Sequence, residues 1–291
     1  MIDMTKWQKI AAENVNKRDM APGRLSGKIA IVTGSAQGFG KGIAEILYAE
    51  GASVVIADLN EALAETVAKE LGERAFSVKV DVSSEENVAE MIQKTVERFG
   101  GLDLLVSNAG VLKAGSLTEM EMKDFDFVTK INYTPFFTCT KYAQCIMKAQ
   151  FEADNNWTGD IIQINSKSGL SGSNKNFAYA GGKFGGIGLV QSFAMELAPV
   201  NIKVNAICPG NYYDGPLWSD PERGLFVQYL NAGKVPGAKT IEDVKKFYMS
   251  KSLIQRGCLP SDVAKAIMYA VEQTFETGQA IPVTGGQIML H

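Results

Sequence analysis

The stretch IAIVTGSAQGFG, residues 29–40, decides the fold. Its first five residues, Ile29–Thr33, form an apolar run rich in β-branched side chains, as buried strands do. A glycine-rich loop follows directly, and the residues after Gly40 have helical spacing. Strand, loop and helix in this order predict the first βα unit of a parallel sheet.

The rest of the chain repeats this alternation. Strands are predicted at 29–33, 53–57, 75–80, 102–107, 160–165, 203–207 and 279–283, and helices at 40–49, 62–71, 85–99, 125–149 and 184–197. Several strands are almost continuous in Val, Ile and Leu, which is typical of strands covered by helices on both faces. We therefore predict an α/β protein with a doubly wound, seven-stranded parallel sheet.

Composition excludes several classes of protein. Of 291 residues, 46% are hydrophobic and 21% charged, which is a globular rather than a disordered composition. The net charge of −3 gives no surplus of positive charge for nucleic acid. No run of 18 apolar residues predicts a membrane span, and the first residues lack the pattern of a signal peptide. We expect a cytoplasmic protein with neither a nucleic-acid nor a membrane partner.

A metal site is not expected. Cys139, Cys145, Cys208 and Cys258 lack paired CxxC spacing, and His291 is the sole histidine of the sequence. The cysteines are interpreted as reduced residues that pack in the interior.

The pattern predicts three regions. Residues 1–26 form an extension, and Trp7, Ile10, Ala11 and Val15 within it have the spacing of an amphipathic helix. Residues 27–291 form one domain, interrupted around 211–258 by a segment too long for a plain connector. This insertion is interpreted as a substrate lid, and the alternative is a helical hairpin without a role in binding.

The glycine loop predicts a site for a dinucleotide. Glycines let the backbone approach a pyrophosphate closely, while the amino end of the next helix stabilises its negative charge. The alternative, that the glycines only permit a tight turn, is disfavoured by the position of the loop between a strand and a helix.

Asp58 predicts which dinucleotide binds. It lies at the end of the second strand, where a carboxylate accepts hydrogen bonds from the adenosine ribose and repels a 2′-phosphate. Because Ser35, Gln37 and Leu59 offer no positive charge to a 2′-phosphate, NAD is favoured over NADP.

Three residues have the pattern of a proton-transfer site. Ser166 follows the fifth strand, Tyr179 comes 13 residues later, and Lys183 lies one helical turn beyond Tyr179. A tyrosine is a poor base at neutral pH, and a neighbouring ammonium can lower its pKa. Singly, each residue could be an ordinary helix or surface residue, but the combination at these distances favours catalysis.

With these motifs together, the chain resembles the short-chain dehydrogenase/reductase family over residues 27–291. The resemblance implies a Rossmann-type fold and a reaction that interconverts a secondary alcohol and a ketone. It implies that Ser166 and Tyr179 hold the substrate oxygen, that Tyr179 transfers the proton, and that Lys183 binds the nicotinamide ribose. Asn132 matches the family asparagine that anchors a water of the proton relay.

The resemblance also implies the NAD contacts and a homotetramer built through 125–149, 184–197 and the C-terminal strand. The cofactor residues are Gly34, Gln37, Gly38, Phe39, Gly40, Asp58, Asp81, Val82, Asn108, Ala109, Gly110, Tyr179, Lys183, Pro209, Gly210 and Asn211. The sequence departs from the family at 211–214, NYYD, where the usual threonine is absent.

Local segments indicate the substrate. IIQINSKSG, KFGGIGLVQS and TGQAIPVTGGQIM resemble the branch of the family that oxidises sorbitol 6-phosphate to fructose 6-phosphate with NAD. Lys113, Lys167, Lys175 and Arg256 are the candidates for a phosphate clamp, and each could instead be a solvated surface charge. Asp214 stands where that branch is expected to have a lysine.

Three functions are therefore compared. The first is an NAD-dependent dehydrogenase of a polyol phosphate, and the second acts on an unphosphorylated polyol or ketose. The third is a dinucleotide-sensing protein without turnover, which the four intact residues Asn132, Ser166, Tyr179 and Lys183 disfavour.

Overall fold

Seven parallel strands form one sheet in the computed structural model, which describes residues 2–289. The strands are β1 (Ile29–Thr33), β2 (Ser53–Asp58), β3 (Ala75–Lys79), β4 (Leu104–Ser107), β5 (Gly159–Ile164), β6 (Ile202–Pro209) and β7 (Ala280–Val283). Their order is β3-β2-β1-β4-β5-β6-β7, and every neighbouring pair is parallel. The predicted doubly wound α/β fold is confirmed.

Helices cover both faces of the sheet. They are α1 (Thr5–Asn14), α2 (Gly38–Ala49), α3 (Glu61–Leu71), α4 (Glu85–Phe99), α5 (Met122–Asn132), α6 (Thr134–Ala153), α7 (Phe177–Leu197), α8 (Pro216–Ser219), α9 (Leu225–Asn231), α10 (Ile241–Ser250) and α11 (Pro260–Glu272). One core packs α4, α6 and α7 on the sheet, and the other packs α2, α3 and α11. Since helices cover both faces of the sheet, a ligand site is expected at the ends of the strands.

Two predicted helices have different boundaries. The helix predicted at 125–149 is two helices, α5 and α6, which meet at Tyr133, two residues before Pro135. Because a proline lacks an N–H, Pro135 cannot continue the hydrogen-bond pattern of α5, whereas it is tolerated in the first turn of α6. The helix predicted to begin at residue 184 begins at Phe177, since its glycine-rich first turns hide the helical pattern.

The N-terminal helix α1 packs on α4 and α6. Ala11 is fully buried there, and the Trp7 indole N–H donates to the Glu97 carboxylate over 3.1 Å. Farther along, Arg18 donates to the side-chain oxygen of Gln150 over 3.1 Å. The extension is thereby attached to the body of the domain on the face opposite α2.

Across residues 2–289, every helix is too short or too polar to cross a bilayer. Nor do three His, Cys, Asp or Glu side chains within that range converge as a metal site would require. His291 lies outside the described residues.

Candidate active site

The chain reverses its winding direction between β1 and β4. From β1 it proceeds through β2 to β3 on one side, and from β4 to β7 on the other. In open α/β sheets, the crevice at such a switch point, beside the carboxyl ends of the strands, is where ligands bind. The residues predicted to form the site follow these strand ends.

The glycine loop brings the start of α2 against the end of β4. A side chain at Gly40 would overlap the carbonyl oxygen of Gly34, and a side chain at Gly34, whose φ is +64°, would lie 2.9 Å from the Ala109 Cα. Among the described residues, no side chain caps the first turn of α2. Its N–H groups are therefore available to a pyrophosphate, which fits a dinucleotide.

Thr33 and Asn108 fix the two sides of this crevice to each other. The Thr33 hydroxyl accepts hydrogen bonds from the backbone N–H groups of Asn108 and Ala109, at 3.0 and 3.1 Å. The Asn108 amide donates to the Thr33 and Gly34 carbonyls, at 2.8 and 3.1 Å. The role of Thr33 was not predicted, although its place at the end of β1 is a signal that could have indicated it.

Asp58 ends β2 with its carboxylate beside the glycine loop. One carboxylate oxygen accepts from the Ala36 N–H at 2.9 Å and the other from the Asn60 N–H at 3.0 Å. Each oxygen has a further lone pair, so the group can also accept from ribose hydroxyls. Asp81 follows β3, where a hydrogen bond from Ser83 lowers the pKa of its carboxyl, and Val82 beside it is buried.

Ser166, Tyr179 and Lys183 meet beyond the end of β5. Ser166 lies two residues beyond the last residue of the strand, and α7 carries the other two on one face. The Lys183 ammonium is buried, lies 5.6 Å from the centre of the Tyr179 ring and donates to the Ile164 carbonyl over 2.7 Å. The predicted trio therefore shares one site.

The electrostatics of this trio differ from the expectation. Burial raises the pKa of the Tyr179 phenol, and a hydrogen bond with Ser166 opposes that rise. Burial also lowers the pKa of Lys183 to about 8. The Lys183 ammonium donates to the Ile164 carbonyl, and burial is the largest influence on the pKa of Tyr179.

Asn132 closes the crevice from the side of α5. Its side chain accepts from the Val111 N–H at 2.8 Å and donates to the Val111 carbonyl at 2.7 Å. This two-way bond holds the segment after β4, where Asn108, Ala109 and Gly110 lie. The side chain thus shapes the crevice.

Asn165 was not singled out from the sequence, yet it connects the parts of the trio. Its side chain accepts from the Ser166 N–H at 2.8 Å and donates to the Lys183 carbonyl at 2.9 Å. A third hydrogen bond, over 2.7 Å, goes to the Gln163 side chain. Asn165 precedes the serine in the INS motif, but its role depends on a contact 18 residues away.

Pro209, Gly210 and Asn211 continue from β6 into the crevice. Gly210 donates to the Val283 carbonyl over 2.9 Å, and Asn211 donates to the Tyr213 hydroxyl over 3.1 Å. The segment 211–214, which lacks the usual threonine, therefore begins the insertion with a buried hydrogen bond between an amide and a phenol.

The insertion has a small hydrophobic core of its own. Tyr213, Trp218, Phe226, Tyr229 and Tyr248 form an aromatic cluster with ring centres 5.0 to 6.0 Å apart. We call this cluster, with α8, α9 and α10, the aromatic lid. Its first part reaches the glycine loop, because the rings of Tyr212 and Phe39 lie 5.0 Å apart.

The four predicted clamp residues have different surroundings. Lys113 is exposed and 3.8 Å from the Asp124 carboxylate, and Arg256 makes a two-bond ion pair with Asp262. The Lys175 ammonium donates to the Ala232 carbonyl. Lys167 lies next to Ser166, and its ammonium is 6.0 Å from the centre of the Tyr248 ring. Lys113 and Arg256 are thus paired with carboxylates, whereas Lys167 faces the lid.

Comparison with known proteins gives the family. The short chain dehydrogenase family model matches residues 28–218. The chain belongs to the short-chain dehydrogenase family. Members of this family are oxidoreductases that use nicotinamide dinucleotides and act on small molecules.

Similar proteins within the family include sorbitol-6-phosphate 2-dehydrogenases. The one from Escherichia coli strain K12 is 35% identical over 90% of this short-chain dehydrogenase and 99% of the relative. The crystal structure of the one from Erwinia amylovora matches with a TM-score of 0.81 and 36% identity, over 90% of this chain and all of that one. A 3-ketoacyl-(acyl-carrier-protein) reductase from Brucella melitensis, complexed with NADH, matches with a TM-score of 0.78 and 27% identity, over 91% and 100% of the two chains.

Proposed function

We propose that this short-chain dehydrogenase oxidises a hexitol phosphate, sorbitol 6-phosphate, to the 2-ketose phosphate with NAD. The observation that carries the reaction type is the convergence of Ser166, Tyr179 and Lys183 at the carboxyl end of β5, beside the glycine loop. The substrate is supported by similarity to two sorbitol-6-phosphate 2-dehydrogenases over 90% of the chain. Lys167, next to the catalytic serine, offers positive charge to the phosphate.

The residues of this chain handle the proton and position the substrate. Ser166 donates a hydrogen bond to the substrate oxygen and holds it against Tyr179. The hydroxyl proton passes to the Tyr179 phenolate as the C–H bond at the same carbon breaks, so the carbon gains a C=O bond. When bound, NAD supplies the hydride acceptor and a positive charge that favours the phenolate.

Specificity for NAD follows from Asp58. Its carboxylate accepts from the Ala36 N–H of the loop with one oxygen and from the Asn60 N–H, at the start of α3, with the other, which fixes its orientation. A 2′-phosphate at this place would meet a fixed negative charge. The loop residues from Gly34 to Gly40, with Asp81, Val82 and the segments 108–110 and 209–211, complete the proposed NAD site.

The test compares substrates and cofactors directly. NADH formation is followed by absorbance with sorbitol 6-phosphate, with sorbitol, and with NADP in place of NAD. We expect turnover of the phosphorylated substrate with NAD. Turnover of sorbitol alone would replace the proposal with an unphosphorylated polyol dehydrogenase, and no turnover of any polyol would overturn both.

Tyr179→Phe tests the proton carrier. This variant is expected to bind NADH normally and to lose at least about 100-fold in kcat, the usual contribution of a positioned acid–base group. Near-normal turnover would show that another group carries the proton.

The proposed assembly is a cytoplasmic homotetramer. Phe137 of α6 and Phe184 and Met195 of α7 are large apolar side chains on the helices expected at the interface, and they are 48%, 47% and 75% exposed in the single chain. Burial of such side chains in an interface is favourable. Light scattering measures the mass, and a monomer would contradict the assembly.

A further inference from the structure

We propose that Lys167, Lys234 and Lys251 form the phosphate subsite of the substrate pocket. We call these three residues the lysine cluster. The proposal rests on the function proposed above and names the part of the aromatic lid that selects a phosphorylated substrate. Lys234 and Lys251 were not among the clamp residues predicted from the sequence.

An aromatic platform brings the three ammonium groups together. The rings of Tyr229 on α9 and Tyr248 on α10 are stacked, with centres 5.4 Å apart and planes inclined by 27°. The Lys234 ammonium lies 4.1 Å from the Tyr229 ring centre. The ammonium groups of Lys251 and Lys167 lie 5.4 and 6.0 Å from the Tyr248 ring centre. Ring faces attract cations at these distances, so the platform fixes where the charges converge.

The platform lies close to the reacting groups. Lys167 follows Ser166 in the chain. The pKa of Tyr229 is raised by burial, then by Tyr248 and by the Tyr179 phenol, which is therefore close to it. The lid is attached to the crevice beside α5, where the Ala114 N–H donates to the Gln228 side chain over 2.9 Å. A six-carbon substrate whose second carbon faces Tyr179 would therefore extend its phosphate toward the lysine cluster.

The cluster lacks negative partners. Within residues 2–289, no carboxylate lies within 4.0 Å of any of its three ammonium groups, in contrast to Lys113 and Arg256. Lys234 donates to the Ser173 hydroxyl over 3.1 Å, which is a neutral acceptor. Positive charges that converge without a counterion favour a bound dianion.

Titration of the cluster agrees with its geometry. Burial, followed by the charges of Lys167, Lys251 and Lys175, lowers the pKa of Lys234 to about 7. Burial and Lys251 lower the pKa of Lys167 to about 8. Lys234 therefore faces these three lysines, the Tyr229 ring and the Ser173 hydroxyl, while Glu119 faces Lys175. A phosphate placed among them would relieve their repulsion.

The kinetic test uses single lysine variants. Lys234→Ala and Lys251→Ala are compared with Lys246→Ala, which removes the same charge from an exposed position of α10. At saturating NAD, each cluster variant is expected to raise the KM for sorbitol 6-phosphate by about tenfold to 100-fold, as expected for a charge-assisted hydrogen bond, with a much smaller effect on kcat. The KM for NAD and all constants of Lys246→Ala should stay near those of the parent. Cluster variants that match Lys246→Ala would overturn the proposal.

A binding measurement separates the subsite from the proposed function. Calorimetry with fructose 6-phosphate, fructose and inorganic phosphate is performed on the parent and the same variants. We expect fructose 6-phosphate and phosphate to bind the parent and to lose affinity in Lys234→Ala and Lys251→Ala, with no change for fructose. If sorbitol 6-phosphate is not oxidised but phosphate still binds through these lysines, the proposed function fails and the subsite stands. If it is oxidised and the variants bind as the parent does, the subsite fails and the function stands.

Discussion

Replacing Asn165 with alanine should weaken both the fold and the reaction. This side chain is 2% exposed and makes hydrogen bonds to the Ser166 N–H, the Lys183 carbonyl and the Gln163 side chain. Two of these three partners belong to candidate catalytic residues. Asn165 is therefore a positioning residue, and its loss should displace Ser166 relative to α7.

The magnitude follows from the groups that lose a partner. The Ser166 N–H is left without its acceptor, at a cost of about 1–3 kcal/mol, and each of the other two bonds contributes about 1 kcal/mol. A total of roughly 3–5 kcal/mol corresponds to a decrease in Tm of about 6–20 °C for a domain of this size. A displacement of about 1 Å at the reacting oxygen costs on the order of 100-fold in rate.

The assay compares Asn165→Ala with Asn205→Ala. Asn205 is a buried asparagine in β6 whose side chain donates to the Glu276 carbonyl and accepts from the Gln279 N–H, each over 3.0 Å. Both variants should lose stability in thermal unfolding, but Asn165→Ala should also lose kcat, with an unchanged KM for NAD and an altered pH profile. Equal kcat values in the two variants would refute a positioning role.

Three further predictions test the fold and the site. Lys203→Met leaves the buried Asp160 carboxylate without its ion-pair partner at 3.1 Å and should cost about 3–5 kcal/mol in urea unfolding near neutral pH. Burial raises the pKa of Asp160 to about 6 even though Lys203 opposes that rise, so without Lys203 the carboxyl should take up its proton at a still higher pH. Part of the lost stability should therefore return as the pH falls toward 6, and an unfolding free energy independent of pH would contradict this. Gly40→Ala places a methyl group against the Gly34 carbonyl and should abolish NADH binding by fluorescence titration, so an unchanged Kd would disprove the close contact. Because the pKa of Lys234 is lowered to about 7, the KM for sorbitol 6-phosphate should rise as the pH increases above that value, whereas the KM for NAD should not.

Much of the fold could be predicted because its signals are local. Each strand is a short apolar run, and the glycine loop lies between β1 and α2 as expected. The single helix predicted at 125–149 was wrong, because the helical pattern of apolar residues continues on both sides of Pro135 although α5 ends at Asn132. Helix propensity and hydrophobic periodicity are judged over windows of many residues, so a break at a single residue is easily missed.

The candidate site was predictable where spacing along one element fixes a contact. Tyr179 and Lys183 lie one turn apart on α7, so the sequence alone places them on one face. Asn165 contacts Lys183 and Lys234 contacts Ser173, each far away in the sequence, and no local pattern encodes such contacts. Arg256 and Asp262 are only six residues apart, yet the sequence does not show that they form an ion pair, because this depends on the path of the backbone between them.

The separate core of the aromatic lid has an evolutionary consequence. Trp218, Phe226 and Tyr248 pack mainly on one another, outside the two cores that hold the sheet and its helices. Substitutions in this segment can therefore change the shape and charge above the crevice without disturbing Ser166 and Tyr179 below it. Variation within residues 211–258 can therefore change which substrate is accepted while the reacting groups stay the same.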